Sequence, residues 1–348
     1  MFQGALIGCG FFARNHLNAW RDLQDRSPGA QIVAVCDKDE GKARLAAADF
    51  GIPRWYTDAA TMFAAERLDF VDIVTTMPSH RPLVELAARH RVPTIVQKPF
   101  AATFEDCVAM VEAAEAAGIP LMVHENFRFQ TPMMKALSVI QSGEIGEVAW
   151  GRFSFRTGYD VYANQPYLAD EKQFIILDLG IHLLDVARVF MGEATRISCE
   201  TQSIHLGISG EDTATMMIRH VGGAVSIVDC TYASKQKPDP FPQTLLQIEG
   251  RRGSLKIFND FAMEVTCDSE LRREHIGSQL LSWTSEPWHT AQESVLNTQA
   301  HWLDCLASKT PPATSGDDNL KTYALVMAAY AAATSGKAET PLARPIRA

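Results

Sequence analysis

Short apolar runs and longer amphipathic stretches alternate along the first third of the chain. Ala5-Leu6-Ile7 runs into Gly8, Ile32-Val33-Ala34-Val35 closes at Asp37, and Val71-Asp72-Ile73-Val74, Thr94-Ile95-Val96 and Leu121-Met122-Val123 continue the series. Helical spacing fills the gaps over about residues 13–22, 42–50, 81–90 and 104–117. Gly51 ends the second helix. Gly118-Ile119-Pro120 stops the fourth, with glycine just past the last turn and proline close behind. Short apolar strands separated by helices mean βαβ units and a parallel sheet covered on both faces. Right-handed crossovers make such a sheet doubly wound, and its ligands bind beyond the carboxyl ends of the strands.

Near residue 148 the pattern changes. Strand periodicity over residues 148–156, 213–219, 224–231, 245–249, 254–258 and 263–266 is linked by short glycine-containing turns, with one helix, residues 176–191, near the start. Successive strands without intervening helices predict a largely antiparallel sheet. In the tail, Thr290-Ala291-Gln292-Glu293 has the form of a capping box opening a helix through Leu306. Ser315-Gly316-Asp317-Asp318 opens another that reaches about Thr334. The expectation is an α/β domain, residues 1–125, followed by an α+β domain, residues 126–348, whose open-faced sheet is accompanied by helices. The C-terminal helices are expected to pack back on the first domain.

Composition narrows the function. Hydrophobic residues at 47% and charged residues at 21% are ordinary for a globular chain of 348 residues. A net charge of −9 lacks the basic footprint of a nucleic-acid binder. It leaves room for an anionic cofactor, whose phosphates can be held by main-chain N–H groups at a helix N-terminus. The seven cysteines, at 9, 36, 107, 199, 230, 267 and 305, show neither metal-ligand spacing nor a disulfide framework, so no metal is expected. The first residues run straight into a strand rather than a signal-type leader, and no apolar stretch approaches the ~20 residues of a membrane span. The expected compartment is the cytoplasm.

Gly8-Cys9-Gly10-Phe11-Phe12-Ala13 fits GxGxxG/A between the first strand and the first helix. Gly8 permits a tight turn, Gly10 lets the backbone approach a pyrophosphate, and Ala13 is small enough for the helix to pack on the sheet. Asp37 closes the second strand, where a carboxylate accepts from ribose hydroxyls. That carboxylate repels a 2′-phosphate, so NAD is favoured over NADP, with Lys38 next door softening the preference.

Val96-Gln97-Lys98-Pro99 ends a predicted parallel strand, and a lysine there projects toward the crevice where a nicotinamide would lie. Its donors can stabilise negative charge developing on oxygen; a surface lysine at a strand end would look the same. Asp178 and His182 are i, i+4 neighbours on the predicted helix, so a carboxylate sits one turn from a natural general base. A dipole-complementing Asp beside a core histidine explains the pair equally well locally.

Taken together, these motifs resemble the glucose-fructose oxidoreductase / inositol dehydrogenase / MocA family of NAD(P)-dependent oxidoreductases over nearly the whole chain. The resemblance rests on the GxGxxA turn with His16 downstream, on Asp37, and on Leu68-Asp69-Phe70-Val71-Asp72-Ile73-Val74-Thr75 with His80. It continues through Lys98-Pro99, Asp178-Leu179-Gly180-Ile181-His182-Leu183-Leu184-Asp185, and Pro311-Pro312-Ala313-Thr314-Ser315-Gly316-Asp317-Asp318. It implies an N-terminal Rossmann domain binding NAD and a C-terminal substrate-binding and oligomerisation domain. Lys98, Asp178 and His182 would be the catalytic group, with Lys98 meeting the other two across a cleft. Gly8, Gly10, Phe11, Phe12, Ala13, Asp37, Lys38, Thr75, Thr76, His80, Gln97 and Lys98 would hold the cofactor. Two departures stand out: Gln97 replaces the usual Glu, and Phe174-Ile175-Ile176 stands where many members have a glycine-rich step.

The implied reaction is oxidation of a secondary alcohol in a sugar, inositol-like polyol or sugar acid, with hydride passing to nicotinamide. Arg156 on strand 148–156, Tyr159, Gln165 and Asn126 are the candidate substrate contacts; Trp288 and His289 are candidates for stacking on a sugar or for fixing the start of the helix. A homo-oligomer, dimer or tetramer, joined through the second-domain sheet is expected. Two other uses of the fold stay open: an NAD-dependent glycosidase working by transient oxidation and elimination, and a non-catalytic dinucleotide-bound sugar sensor.

Overall fold

The computed structural model describes residues 1–344. The chain forms two compact units, one made of Met1–Asn126 with Gln292–Leu320 and the other of Phe127–Ala291 with the chain from Lys321 onward. Residues 292–320 therefore belong with the first unit, whereas the sequence pattern grouped them with the second domain.

The first unit is a six-stranded sheet of β1 (Phe2–Ile7), β2 (Ala30–Cys36), β3 (Arg54–Tyr56), β4 (Phe70–Ile73), β5 (Thr94–Gln97) and β6 (Leu121–His124). Its order is β3-β2-β1-β4-β5-β6 and every pair is parallel. Helices α1 (Ala13–Asp22), α2 (Glu40–Phe50), α3 (Ala59–Ala65), α4 (His80–Arg89) and α5 (Phe104–Ala117) make the crossovers. The central strands read as unbroken apolar runs because both faces are covered: Ala5, Leu6, Val71, Ile73, Ile95 and Val96 are wholly buried. Asp39 caps α2 by accepting from the Lys42 N–H, Thr103 caps α5, and Gly51 and Gly118 end these helices in left-handed conformation. The segment 292–320 attaches at β6, where the Val123 N–H donates to the Thr314 carbonyl (2.8 Å) and the Thr314 hydroxyl donates back to the Val123 carbonyl (2.6 Å).

The second unit is built on an eight-stranded sheet of β7 (Val148–Arg156), β8 (Ala194–Gln202), β9 (Thr213–His220), β10 (Val225–Thr231), β11 (Leu245–Gly250), β12 (Gly253–Ile257), β13 (Ala262–Cys267) and β14 (Glu270–His275). The order is β14-β13-β12-β11-β7-β10-β9-β8, antiparallel except for the central β7/β10 pair. With it go α6 (Thr131–Gln141) and α7 (Ile181–Met191), the latter packed on β7 and β10. Two more helices close the chain, α8 (His289–Ser308) and α9 (Gly316–Ser335).

Five elements are missing from the sequence pattern: the helices α3 and α6, and the edge strands β3 of the first sheet and β8 and β14 of the second, and the three strands share a cause. β8 and β14 are the second sheet's two edges; β14 is exposed along its whole length, and β8 buries little beyond Ile197 and Cys199. Polar edge strands carry little hydrophobic periodicity. Two local signals also resolve differently. α8 starts at His289, so Thr290 lies inside the first turn; its buried hydroxyl has no hydrogen-bond partner among the described residues, and the capping box does not form. At α9 the cap does form: Ser315 Oγ accepts from the Asp318 N–H at 3.2 Å.

Gly4 of β1 is paired with Phe70 of β4, and a Cβ on Gly4 would lie 2.2 Å from the Phe70 ring. Phe70 is fully buried and has no room to retreat. Gly4→Ala is expected to cost about 1–3 kcal/mol of unfolding free energy, the usual price of overpacking a core, measured by denaturant titration.

Candidate active site

The phosphate loop lies between the carboxyl ends of β2 and β4. The Gly8 N–H donates to the Cys36 carbonyl at 2.7 Å, while a Cβ on Gly8 would stand 2.5 Å from the Val74 carbonyl oxygen. Gly8 also has φ +97°, in the region only glycine adopts freely. A Cβ on Gly10 would meet nothing within 4 Å, so the loop is open where a pyrophosphate would approach. Among the described residues no side chain caps the N-terminus of α1, and no acidic residue occupies its first turn, which leaves the positive end of the helix to an anion. Asp37 borders this loop: its Oδ2 accepts from the Cys9 N–H at 2.7 Å and its Oδ1 from the Asp39 N–H at 2.9 Å. Two main-chain donors thus fix a carboxylate beside the loop. These residues fit an adenosine diphosphate moiety whose ribose carries no phosphate. Lys38 is exposed, and Phe11 and Phe12 precede α1 with Phe11 77% exposed.

Thr75 and Thr76 follow β4, with Ser79 Oγ donating to the Thr76 carbonyl at 2.7 Å and lying 2.8 Å from Thr75 Oγ1. His80 does not present itself to a ligand. It is fully buried, its Nδ1 3.1 Å from the Phe100 carbonyl and its Nε2 3.0 Å from the Thr75 carbonyl. The ring ties the loop after β4 to the segment after Lys98, and is a brace rather than the cofactor contact expected from the sequence. Gln97 ends β5 and accepts the Lys98 N–H on Oε1 at 2.7 Å, leaving Lys98 half-buried just beyond the strand. Asn126, at the end of this unit, is buried and donates to Ser294 Oγ at 2.6 Å.

In the second unit, the expected helix 176–191 is two elements: a π-helical turn, Ile176–Gly180, running into α7. A buried carboxylate organises its start. Glu211 accepts from the Phe174 N–H (3.1 Å), the Ile176 N–H (3.3 Å) and the Tyr330 hydroxyl (2.8 Å), and Tyr330 in turn accepts from the Leu177 N–H (3.2 Å). Wider turns of this kind concentrate at functional sites. Asp178 sits within the turn and accepts from the Tyr232 hydroxyl at 3.3 Å. Burial, then the Asp178 charge, pushes the Tyr232 phenol far above its ordinary range, so it stays a donor. His182, on the first turn of α7, is 4% exposed and stacks on Phe127 with ring centroids 3.9 Å apart and planes 3° from parallel. Arg128, beside Phe127, grips Asp185 of the same helix through two guanidinium nitrogens. Tyr232, Phe127 and Glu211 are not legible as supports from local sequence, because each is remote in the chain from the residue it holds.

Arg156 is a correction. Alternation along β7 turns Phe153 and Phe155 to the α7 side, where Phe153 meets Phe190 and Phe155 meets Phe127. Arg152, Ser154 and Arg156 are turned to the other side, all toward the buried Asp229 carboxylate, at 2.9, 2.8 and 3.5 Å. They line a concavity of about 860 Å³ on the sheet face away from His182. Arg156 is therefore not a neighbour of the Asp178–His182 segment. Tyr159 is half-buried, stacks on Phe241 (4.4 Å) and meets Trp288 edge-on (5.3 Å), while its hydroxyl oxygen accepts from Asn164 Nδ2 (2.8 Å). Gln165 accepts from the Tyr167 hydroxyl at 2.9 Å.

With this geometry in view, comparison with known proteins is decisive. Residues 2–125 match the model of an oxidoreductase family with an NAD-binding Rossmann fold, and residues 133–256 match a GFO/IDH/MocA C-terminal domain. The chain belongs to the GFO/IDH/MocA oxidoreductase family. It is 52% identical over 335 residues to a D-apiose dehydrogenase from Rhizobium rhizogenes, covering 96% of each chain. It is 51% identical over 336 residues to a D-apiose dehydrogenase from Paraburkholderia graminis, covering 97% of this chain and 88% of that one. Among solved structures it superposes with TM-score 0.95, at 51% identity, on an oxidoreductase from Agrobacterium radiobacter in complex with NAD+, L-tartaric acid and magnesium, covering 97% of this chain and 98% of that one. The first unit is thus an NAD-binding Rossmann domain, and the chain is an oxidoreductase. Among the described residues no helix is long and apolar enough to cross a membrane.

The His80 brace carries a pH signature. Burial holds its imidazole below the ordinary value, against the pull of the two carbonyls, and burial does the same to His220. A depressed folded value means that the unfolded chain takes up protons first, from about pH 6.5 downward, so stability is whole above that pH and lost as pH falls through the folded value. The unfolding temperature is expected to fall between about pH 7 and pH 5, before most carboxylates protonate. His80→Gln should flatten that slope; thermal melts across the range showing an unchanged slope would remove His80 from the account.

Proposed function

We propose that this protein oxidises D-apiose, or a sugar of closely similar shape, at a carbinol carbon. The observation that carries the reading is the 52% identity to a D-apiose dehydrogenase over 96% of both chains, reinforced by a phosphate loop and ribose carboxylate that suit NAD. When bound, NAD supplies the acceptor for the hydride that leaves the carbinol carbon. Lys98 is proposed to donate from its ammonium group to the reacting oxygen. His182 accepts the hydroxyl proton as that oxygen becomes a carbonyl. The stack on Phe127 fixes the plane of the His182 ring, and Tyr232 fixes the Asp178 carboxylate, which orients the base or the substrate. Tyr159 and Gln165 are proposed to meet sugar hydroxyls; the Tyr159 hydroxyl accepts from Asn164 and keeps its proton to donate.

The reading extends to a cytoplasmic homo-oligomer, dimer or tetramer, joined through the eight-stranded sheet on the face that bears Arg152 and Lys256, with sedimentation as its measurement. All seven cysteines are unbridged, in keeping with a reducing compartment.

Formation of NADH, followed by absorbance across D-apiose, myo-inositol and sugar acids, tests the substrate. D-Apiose is expected to exceed myo-inositol in kcat/KM by at least about tenfold, the effect of about 1.4 kcal/mol in transition-state binding. No NADH from D-apiose at any concentration would refute it. His182→Ala is expected to lower kcat by about 10²–10⁴, the usual worth of a general base, with NAD affinity by calorimetry retained; unchanged turnover would take His182 out of the mechanism.

A further inference from the structure

We infer that His16 is held as a neutral imidazole with its proton on Nδ1, that Gln97 is what holds it so, and that the two together position the main chain at Lys98. The Lys98 main-chain N–H can only donate, and it donates to Gln97 Oε1 at 2.7 Å. That contact settles which end of the Gln97 amide is oxygen. The other end, Nε2, is a donor only, and it lies 3.1 Å from His16 Nε2. His16 Nε2 therefore accepts and carries no hydrogen. The ring's proton is on Nδ1, 2.8 Å from Asp72 Oδ2. The same carboxylate oxygen receives the Trp20 indole N–H at 2.7 Å and Gln299 Nε2 at 3.4 Å, so the other groups at that oxygen are donors, as His16 Nδ1–H is. Each link thus has one direction, from the Lys98 amide through Gln97 and His16 to Asp72.

The chain is sealed. His16, Asp72 and Gln299 are fully buried, Trp20 nearly so, and Gln97 is 9% exposed. A buried group that loses its partner bears its full desolvation cost, so breaking one link leaves its neighbour unsatisfied in the interior. The links join four elements: α1, which follows the glycine loop and contributes His16 and Trp20; β4, which contributes Asp72; the end of β5, which contributes Gln97; and α8, which contributes Gln299. The main chain at Lys98 is in this way fixed to the helix that begins at the phosphate loop. A carboxylate at position 97 would present only acceptors to His16 Nε2 and would require a second proton on the ring, placing an imidazolium between two carboxylates. Gln97 avoids that charge in the interior.

The inference rests on the proposed role of Lys98 only for its catalytic meaning; the ring's protonation is readable without turnover. Full-length protein labelled with ¹⁵N-histidine, at about pH 7 where an ordinary histidine is mostly neutral, gives two-bond ¹H–¹⁵N spectra in which His16 is assigned by its loss in His16→Gln. The expected pattern is a protonated Nδ1 and a bare Nε2 in the wild type, and two protonated nitrogens in Gln97→Glu. A wild-type ring protonated on Nε2, or on both nitrogens, overturns the inference. For the positioning role, His16→Gln keeps one acceptor and one donor while His16→Leu keeps neither. kcat is expected to drop about tenfold in His16→Leu, modest against the ~10² that a misplacement of about 1 Å can cost, and to recover largely in His16→Gln, with NAD affinity little changed in both. Wild-type kcat in His16→Leu, or a loss confined to NAD affinity, overturns the role. If His16→Leu fails to fold, the spectra still decide, and an inert D-apiose leaves them untouched.

Discussion

The structure of the first unit depends on the reversal of strand order between β1 and β4. Crossovers leave β1 toward one side of the sheet and β4 toward the other, so the loops beyond these two strands part and main-chain donors there lack sheet partners. Gly8 occupies that parting. Its N–H is used by β2, its Cβ position is taken by the Val74 carbonyl, and its φ of +97° turns the chain into α1. With Gly8 fixed, Asp37 can accept from the Cys9 amide and stand beside the loop, and Lys98 falls at the end of the next strand but one.

Buried polar groups then set the precision. Asp72 gathers His16, Trp20 and Gln299 from two helices, Glu211 gathers Phe174, Ile176 and Tyr330 at the π turn, and Asp229 gathers Arg152, Ser154 and Arg156 on the sheet. Such groups are costly to bury unless satisfied. Each of the three carboxylates ties together segments that are distant in the chain. At Glu211 the tie shapes the turn that carries Asp178. On β7, strand alternation puts Arg152, Ser154 and Arg156 on the face opposite α7, where Asp229 binds all three, so Arg156, adjacent in sequence to plausible sugar contacts, is turned away from His182.

Local chemistry made much of this legible beforehand. A glycine at a left-handed turn and an acid closing the second strand follow from short-range geometry, and the family resemblance joined them to Lys98, Asp178 and His182, whose roles are proposed. Apolar runs gave the parallel strands because both of their faces are buried. The polar edge strands β8 and β14 escaped because an edge needs little hydrophobic periodicity, and the capping box at Thr290 failed because α8 begins one residue earlier.

By itself, then, the amino-acid sequence determined the fold class, the cofactor-binding half and the residue types available for chemistry, since these follow from periods of two and 3.6 and from backbone sterics. Tertiary structure alone decided which of those residues are supports and which can meet a ligand. His80 became a buried brace and Arg156 a partner of Asp229. Tyr232 and Phe127 were brought to Asp178 and His182 from distant parts of the chain. Burial and hydrogen-bond direction depend on what packs against a side chain, and its neighbours in sequence do not specify that.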